Sequence, residues 1–373
     1  MNEPIRVAQV IGIAINGGVE SFWMNYYRHI DRNKVQFDFL VESTSDIIDK
    51  EEIEKMGGRV VIIPSYKNPI KYVKTLTKIF KENKYDIVHS NMNALSVFTL
   101  KAAKKAGVKV RIAHNHATTS KRETLRNLAK QILKKFSKKY ATDYFAVSKV
   151  SGEWLFGKKS FEQGEVKVFN SFDVKRFLFS NENRKVFRNK IGVHDDTFLI
   201  GNIGRFVKTK NQSFLLEVFK QYQNIDSNSR LLICGEGPLE NELKQKAVKL
   251  NIVDKVIFLE ATAEIEKVYS GLDLYMFPSL YEGLGLTLLE AETSGLPCIA
   301  SNGVSQETKV IDYVSYLDLN SDIQIWVNEI QKFKEQKIDR ESCGKIVLNS
   351  SFSIDESVKR LEKIYFELLQ SNL

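Results

Sequence analysis

The chain has 373 residues, 43% hydrophobic and 27% charged, with a formal net charge of +9. That length exceeds one ordinary core and implies two domains. It excludes a small disulfide-stapled module: Cys234, Cys298 and Cys343 are widely spaced, lack any Cys-x-x-Cys, and read as reduced packing thiols.

In chain order, "IRVAQVI", "VQFDFLV", "RVVIIP", "YDIVHS", "VKVRIAHNH" and "TDYFAVS" read as strands, each followed by a helical pattern such as "GVESFWMNYYRHI" or "NPIKYVKTLTKIFKEN". Strands without polar alternation, separated by helices, imply parallel sheets covered on both faces. Residues 101–150 carry 14 Lys and Arg against Glu123 and Asp143, so the basic character is local. Much of it lies in residues 121–140, where Leu125, Leu128, Ile132, Leu133, Phe136 and Tyr140 fall at helical spacing, which predicts a basic amphipathic helix. After "EVKVFNSFDVKRF" the stretch "SNENRKVFRNKIGVHDD" is polar and reads as weakly structured. Strands resume with "FLIGNIG", "RLLICG", "KVIFLE", "DLYMFP" and "PCIAS". The boundary falls near residue 172, giving two doubly wound α/β domains, 1–172 and 173–354, facing one another across a cleft. A terminal helix over about 355–373 opens on a serine cap candidate. The N-terminal stretch has no basic leader with an apolar core, and no apolar run reaches the roughly 18 residues of a membrane span. The expectation is a cytoplasmic protein.

Ligands of doubly wound sheets bind beyond the carboxyl ends of the strands. There Gly17 and Gly18 precede a helix and would let backbone amides approach an anion, or simply turn the chain. Gly204 and Arg205 end a strand and Lys210 precedes the next helix, a fixed guanidinium and a mobile ammonium suited to a diphosphate, whereas Lys208 reads as solvated. In "YEGLGLTLLEAETSGLP", Glu282 lies in a loop, Gly283, Leu284 and Gly285 free backbone amides, and Glu290 sits a turn into a helix. Two carboxylates there suit a ligand bearing two sugars, since each accepts from a pair of hydroxyls. The alternative is a turn cap at Glu282 and a salt bridge at Glu290. His89 ends one strand and His114 and His116 the next. At least one should line the cleft, and a zinc site is less well supported because no third ligand motif accompanies His-x-His.

Together these residues resemble the retaining glycosyltransferases of the GT-B fold, glycosyltransferase family 4 of the bacterial surface polysaccharide type. The resemblance covers nearly the whole chain and rests chiefly on the Glu-x7-Glu pattern in "EGLGLTLLEA" followed by "SGLP", and on "GRFVKTKN"; "GGVES", "AVSKVS" and "NSFD" agree more loosely. It implies that Arg205 and Lys210 bind the donor diphosphate, that Glu290 holds the ribose, and that Glu282 with the amides of Gly283, Leu284 and Gly285 holds the donor sugar. Gly17 and Gly18 would approach the diphosphate or acceptor, His116 the reacting centre, and the terminal helix would cross back to the first domain. The sequence departs from the family pattern at Asn91, where a second histidine is common, leaving His89 at the first position. It departs again at "NSFD" and at "VIFLEATAEI", which lacks a glycine after the leucine.

The function implied is retaining transfer of a hexose-type sugar from a nucleotide donor, UDP-linked as a guess, to an acceptor hydroxyl in capsule, exopolysaccharide or glycolipid synthesis. No Asp-x-Asp occurs, so no metal is expected. Two alternatives stay open: a non-catalytic sugar-binding or partner protein on the same fold, and a GT-B sugar-nucleotide epimerase or phosphorylase. Three readings of the basic helix also stay open. It is a solvated face; or it docks on anionic lipid, bringing the enzyme to a polyprenyl-diphosphate-linked acceptor at the inner face of the cell membrane; or, third, it meets nucleic acid, for which no reading motif is present.

Overall fold

The structure, a computed structural model, describes residues 3–13, 18–43, 50–116, 130–282 and 284–371. The chain divides into two compact units, residues 1–172 with 354–373, and residues 173–353. The first holds a parallel sheet of β1 (Ile5–Gly12), β2 (Val35–Glu42), β3 (Arg59–Ile63), β4 (Ile87–Ser90), β5 (Val110–Asn115), β6 (Asp143–Ala146) and β7 (Val166–Val168), in the order β3-β2-β1-β4-β5-β6-β7. All eight residues of β2 are buried, as a strand covered on both faces requires.

Each face of this sheet has its own core. On one, Trp23, Tyr26 and Tyr27 of the helix Gly18–His29 pack with Val358, Leu361 and Tyr365 of the helix Ile354–Ser371. The terminal helix therefore crosses back to the first unit, as the family resemblance implies, and Arg360 Nη1 donates to Val168 O at 3.0 Å. On the other face, the helices Pro69–Asn83 and Ser96–Ala106 bury Tyr72, Leu76, Phe80 and Leu100. The first of these starts where the Asn68 side chain accepts from Lys71 N with Pro69 at the first helical turn, and stops at Lys84 in the left-handed conformation. Burying each such side chain contributes roughly 1.5–3 kcal/mol.

The second unit holds β8 (Phe198–Ile203), β9 (Ser229–Cys234), β10 (Val256–Leu259), β11 (Leu274–Phe277), β12 (Cys298–Ser301) and β13 (Val314–Leu317), all parallel, in the order β10-β9-β8-β11-β12-β13. In both sheets the order reverses beside the first strand, between β1 and β4 and between β8 and β11, which makes those two loop pairs the expected ligand ends.

Three elements differ from the sequence reading. The stretch taken as weakly structured contains a helix, Asn181–Lys190, capped by Ser180. Its periodicity is masked because one inward residue is an arginine: Arg188 donates to Gly271 O at 2.8 Å, His194 O at 2.8 Å and Thr197 O, and pairs with Asp273 at 3.1 Å. The edge strand β13 is an addition; of its four residues only Val314 is buried, too few to show a pattern. The basic helix expected over 121–140 lies partly outside the described residues. Of its remainder, residues 130–134 are helical and the chain then turns, with Phe136 N on Leu133 O and Ser137 N on Lys134 O, while Ser137 Oγ donates to Leu155 O at 3.2 Å.

Candidate active site

In the second unit, β8 leads into a loop whose course is set by backbone contacts. Gly204 N donates to Cys234 O at 2.9 Å, and Phe206 is buried. A short turn, Lys208–Lys210, ends at Asn211 with φ +56, and the helix Gln212–Tyr222 follows. Asparagine tolerates that left-handed position. The turn sends the Lys210 stem back over Gly204, 3.5–3.8 Å from where a Cβ would stand. Lys208 is exposed, as expected, and so is Arg205.

The loop after β11 meets this one directly. Leu280 N donates to Thr209 O at 2.8 Å, and Lys210 Nζ reaches Glu282 Oε1 at 2.7 Å and lies 4.9 Å from the centre of the Phe277 ring. The two side chains are 19% and 17% exposed, so the pair is largely shielded from water yet open on one side. Glu282 N donates to Gly303 O at 3.0 Å, and a Cβ on Gly303 would meet Leu280 O at 2.4 Å, so the loop is held too closely for any other residue. Gly283 lies outside the described residues. Leu284 is buried, and Gly285, at φ +78, opens the helix Leu286–Thr293 that carries Glu290.

Glu290 forms no salt bridge among the described residues; it accepts from the Tyr269 hydroxyl at 2.7 Å. Burial pushes its carboxyl up to about 7, against the opposing pull of Tyr269, Arg176 and Lys210. The two acids therefore have different surroundings: Glu282 is paired with an ammonium, and Glu290 is half-buried beside a phenol. Neither Tyr269 nor Arg176 stands out in the sequence as a site residue. The same holds for Gly235 and Gly237 after β9; a Cβ on Gly235 would meet Gly204 O at 2.2 Å. Two glycines at a strand end could have pointed to this close approach.

In the first unit, the strand ends of β4 and β5 build a polar network. Of the three histidines of which at least one is expected to line the cleft, His89 and His114 are fully buried and His116 is half-buried. Gly18 begins its helix, and Gly17 lies outside the described residues. The Trp23 indole can only donate, and it points at Asn91 Oδ1 at 2.7 Å. The Asn91 amide then donates to Gln9 Oε1 at 3.1 Å, and Gln9 Nε2 to the Tyr365 hydroxyl at 3.2 Å. The Tyr365 hydroxyl lies 2.8 Å from His89 Nδ1, and His89 Nε2 lies 3.1 Å from His114 Nδ1. His114 Nε2 ends the chain with no partner among the described residues.

This polarity fixes His116 as well. Its Nε2 lies 2.9 Å from the same Asn91 Oδ1, so that nitrogen carries the proton and Nδ1 keeps the lone pair. Burial holds the ring neutral, with its pKa pushed down to about 3. In Asn91→Asp the new carboxylate should raise the His116 pKa by about 1–3 pH units, read by NMR titration of the imidazole. No rise would contradict the contact between His116 and the side chain at position 91.

Among the described residues, no group of three His, Cys, Asp or Glu side chains is placed to hold a metal ion. The sequence matches the families described as "Glycosyltransferase Family 4" over residues 16–170 and "Glycosyl transferases group 1" over residues 183–348. A putative glycosyltransferase, EpsF of Bacillus subtilis (strain 168), is 30% identical over 371 residues, 96% of either chain. The UDP-Gal:alpha-D-GlcNAc-diphosphoundecaprenol alpha-1,3-galactosyltransferase of Escherichia coli is 23% identical over 98% of this chain and 97% of its own. Among solved structures, Anabaena Alr3699/HepE in complex with UDP superposes with a TM-score of 0.76 at 20% identity, over 98% of this chain and 100% of that one. Both sheets, the crossing terminal helix and these matches over both units lead to one conclusion: the chain belongs to glycosyltransferase family 4 and is a glycosyltransferase of the GT-B type.

Proposed function

We propose that the protein moves a hexose-type sugar from a nucleoside diphosphate to an acceptor hydroxyl with retention at the anomeric carbon, in the synthesis of a surface polysaccharide or glycolipid. The observation that carries this reading is the Lys210–Glu282 pair, which joins the loops of β8 and β11 where the sheet order reverses. An ammonium has three N–H donors. One serves Glu282, and the others remain for diphosphate oxygens, while Glu282 Oε2 remains for a sugar hydroxyl. Arg205 supplies a second cation to the diphosphate, and Glu290 accepts from the ribose hydroxyls, with the loop amides of Leu284 and Gly285 toward the sugar.

In the reaction the bond from the anomeric carbon to the diphosphate oxygen breaks, and a bond from the acceptor oxygen to that carbon forms on the same face. The acceptor proton passes to the departing phosphate. Negative charge grows on the leaving group, so pre-placed cations are the largest catalytic contribution. His116, neutral and with Nδ1 unprotonated, together with Gly17 and Gly18, takes its role at the reacting centre from the family resemblance. Asn91, His89 and His114 act behind it as positioning residues.

A UDP-sugar donor is supported by the UDP and UDP-glucose complexes of the Anabaena protein, and a polyprenyl-diphosphate-linked acceptor by the name of the Escherichia coli relative. Such an acceptor would place the enzyme at the inner face of the cell membrane, where the lysines and arginines of residues 121–140 would favour anionic lipid. Among the described residues no helix is long and apolar enough to cross a membrane. Metal independence rests on the absence of Asp-x-Asp from the sequence. UDP and UDP-glucose should raise the melting temperature above GDP, ADP and their sugars, because a ligand that binds only the folded state stabilises it by mass action. Sugar transfer should survive EDTA. Preferred stabilisation by another nucleotide would overturn the donor assignment, and loss of transfer on chelation, restored by a divalent ion, the metal-free one.

A further inference from the structure

Beside the donor loops, the carboxyl edge of the second sheet holds another hollow. Between the start of the helix Gln212–Tyr222 and the helix Glu240–Lys249 lies a pocket of about 410 Å³, within the roughly 300–1,000 Å³ that small ligands occupy. Leu239, Leu243 and Leu280 give it an apolar wall, and Lys208, Gln212 and Glu242 line it with polar groups. Neither Lys210 nor Glu282 lines it.

Gln212 is 1% exposed, and its Nε2 donates to Arg205 O at 3.2 Å. A carbonyl only accepts, so the amide cannot be turned round. That leaves Gln212 Oε1 buried with no hydrogen-bond partner among the described residues. Buried acceptors are rarely left unpaired, so this oxygen calls for a donor that the chain does not supply. Lys208 and Glu242 likewise form no ion pair or hydrogen bond among the described residues, and their charges are opposite. One cation balanced by one carboxylate selects neither an anion nor a cation. Hydroxyl groups satisfy all three side chains, since each donates to an amide oxygen or a carboxylate and accepts from an ammonium. The leucine wall suits the C–H face of a pyranose ring, which loses water on contact with it.

We propose that this pocket binds a neutral saccharide separately from the donor. Its Leu280 wall is tied to the turn that carries both lysines: Leu280 N donates to Thr209 O at 2.8 Å, and Thr209 lies between Lys208 and Lys210 in the chain. Lys208 lines the pocket, whereas Lys210 pairs with Glu282. A sugar seated there rests against the same two loops that deliver the donor and keeps a glycan beside them between transfers. The site lies beyond the donor assignment and takes only its ligand class from the chain being a glycosyltransferase.

Saturation-transfer difference NMR on the full chain, with saturating UDP to fill the donor site, should show contact with neutral disaccharides of glucose, galactose or N-acetylglucosamine. Glu242→Ala removes a charged acceptor and should raise the disaccharide's dissociation constant about tenfold or more. Leu239→Trp, which fills the pocket from its half-buried wall, should abolish the signal. Both variants should keep the UDP-induced rise in melting temperature, which together with circular dichroism reports on the fold and the donor site. Tighter binding of a disaccharide than of its monosaccharide assigns the pocket to a glycan chain, and equal binding assigns it to a single sugar. No signal from any of these sugars, displacement of the disaccharide by UDP, unchanged binding in both variants, or a stronger response to inorganic phosphate would overturn the proposal. A wild-type chain that binds the disaccharide without responding to UDP would remove the donor assignment and keep the pocket.

Discussion

Lys210→Ala should fold normally and lose turnover by about 10²–10³-fold, the range seen when one pre-placed donor to a developing anion is removed. The stem of Lys210 lies over Gly204 and its ammonium on Glu282, so the charge is delivered between two loops that are already bonded through Leu280 and Thr209. Those loops do not depend on the ammonium, and a partly exposed ion pair contributes on the order of 1 kcal/mol or less to stability. Melting temperature should therefore barely move while kcat/KM falls. Glu282→Gln keeps the shape, removes the partner charge and should also cost activity. Because the two side chains act as a unit, the double variant should lose less than the product of the single losses. Near-normal turnover in folded Lys210→Ala would remove Lys210 from the chemistry.

Why Lys210 and Glu282 meet is not a local property of either segment. Each can be read as a candidate from its own strand end, but their contact follows from β8 and β11 being sheet neighbours, which alternation of strands and helices does not reveal. The strands themselves were legible because fully covered parallel strands are continuous apolar runs. The helix Asn181–Lys190 was not, since its inward Arg188 is buried by hydrogen bonds to carbonyls and by Asp273, and no hydrophobic periodicity records that. The histidines show the same limit. Their places at strand ends were clear, whereas only the donor-only indole of Trp23 and the crossing helix with Tyr365 reveal which of them are sealed in the core.

A second large effect concerns pH and two neighbouring carboxyls. Burial pushes both Glu290 and Glu292 up from 4.5 to about 7; Glu292 Oε2 accepts from Val310 N at 2.8 Å and Ile311 N at 3.0 Å, which only partly offsets it. Between those pH values the folded chain holds protons that the unfolded chain has released, so raising the pH favours unfolding. The loss should reach about 3 kcal/mol for each group and level off above pH 7. Denaturant unfolding at pH 5 and pH 8 measures it, and Glu292→Gln should remove roughly half of this pH-dependent contribution. Glu290 carries a second consequence of opposite sign. If its carboxylate receives the ribose hydroxyls, the ligand favours the charged form, and UDP affinity should rise as pH climbs toward 7 while the free protein weakens. Glu290→Gln should then flatten both dependences and Glu292→Gln only the first. Equal flattening of UDP affinity by both variants would mean that Glu290 shapes the site through the fold and does not hold the nucleotide.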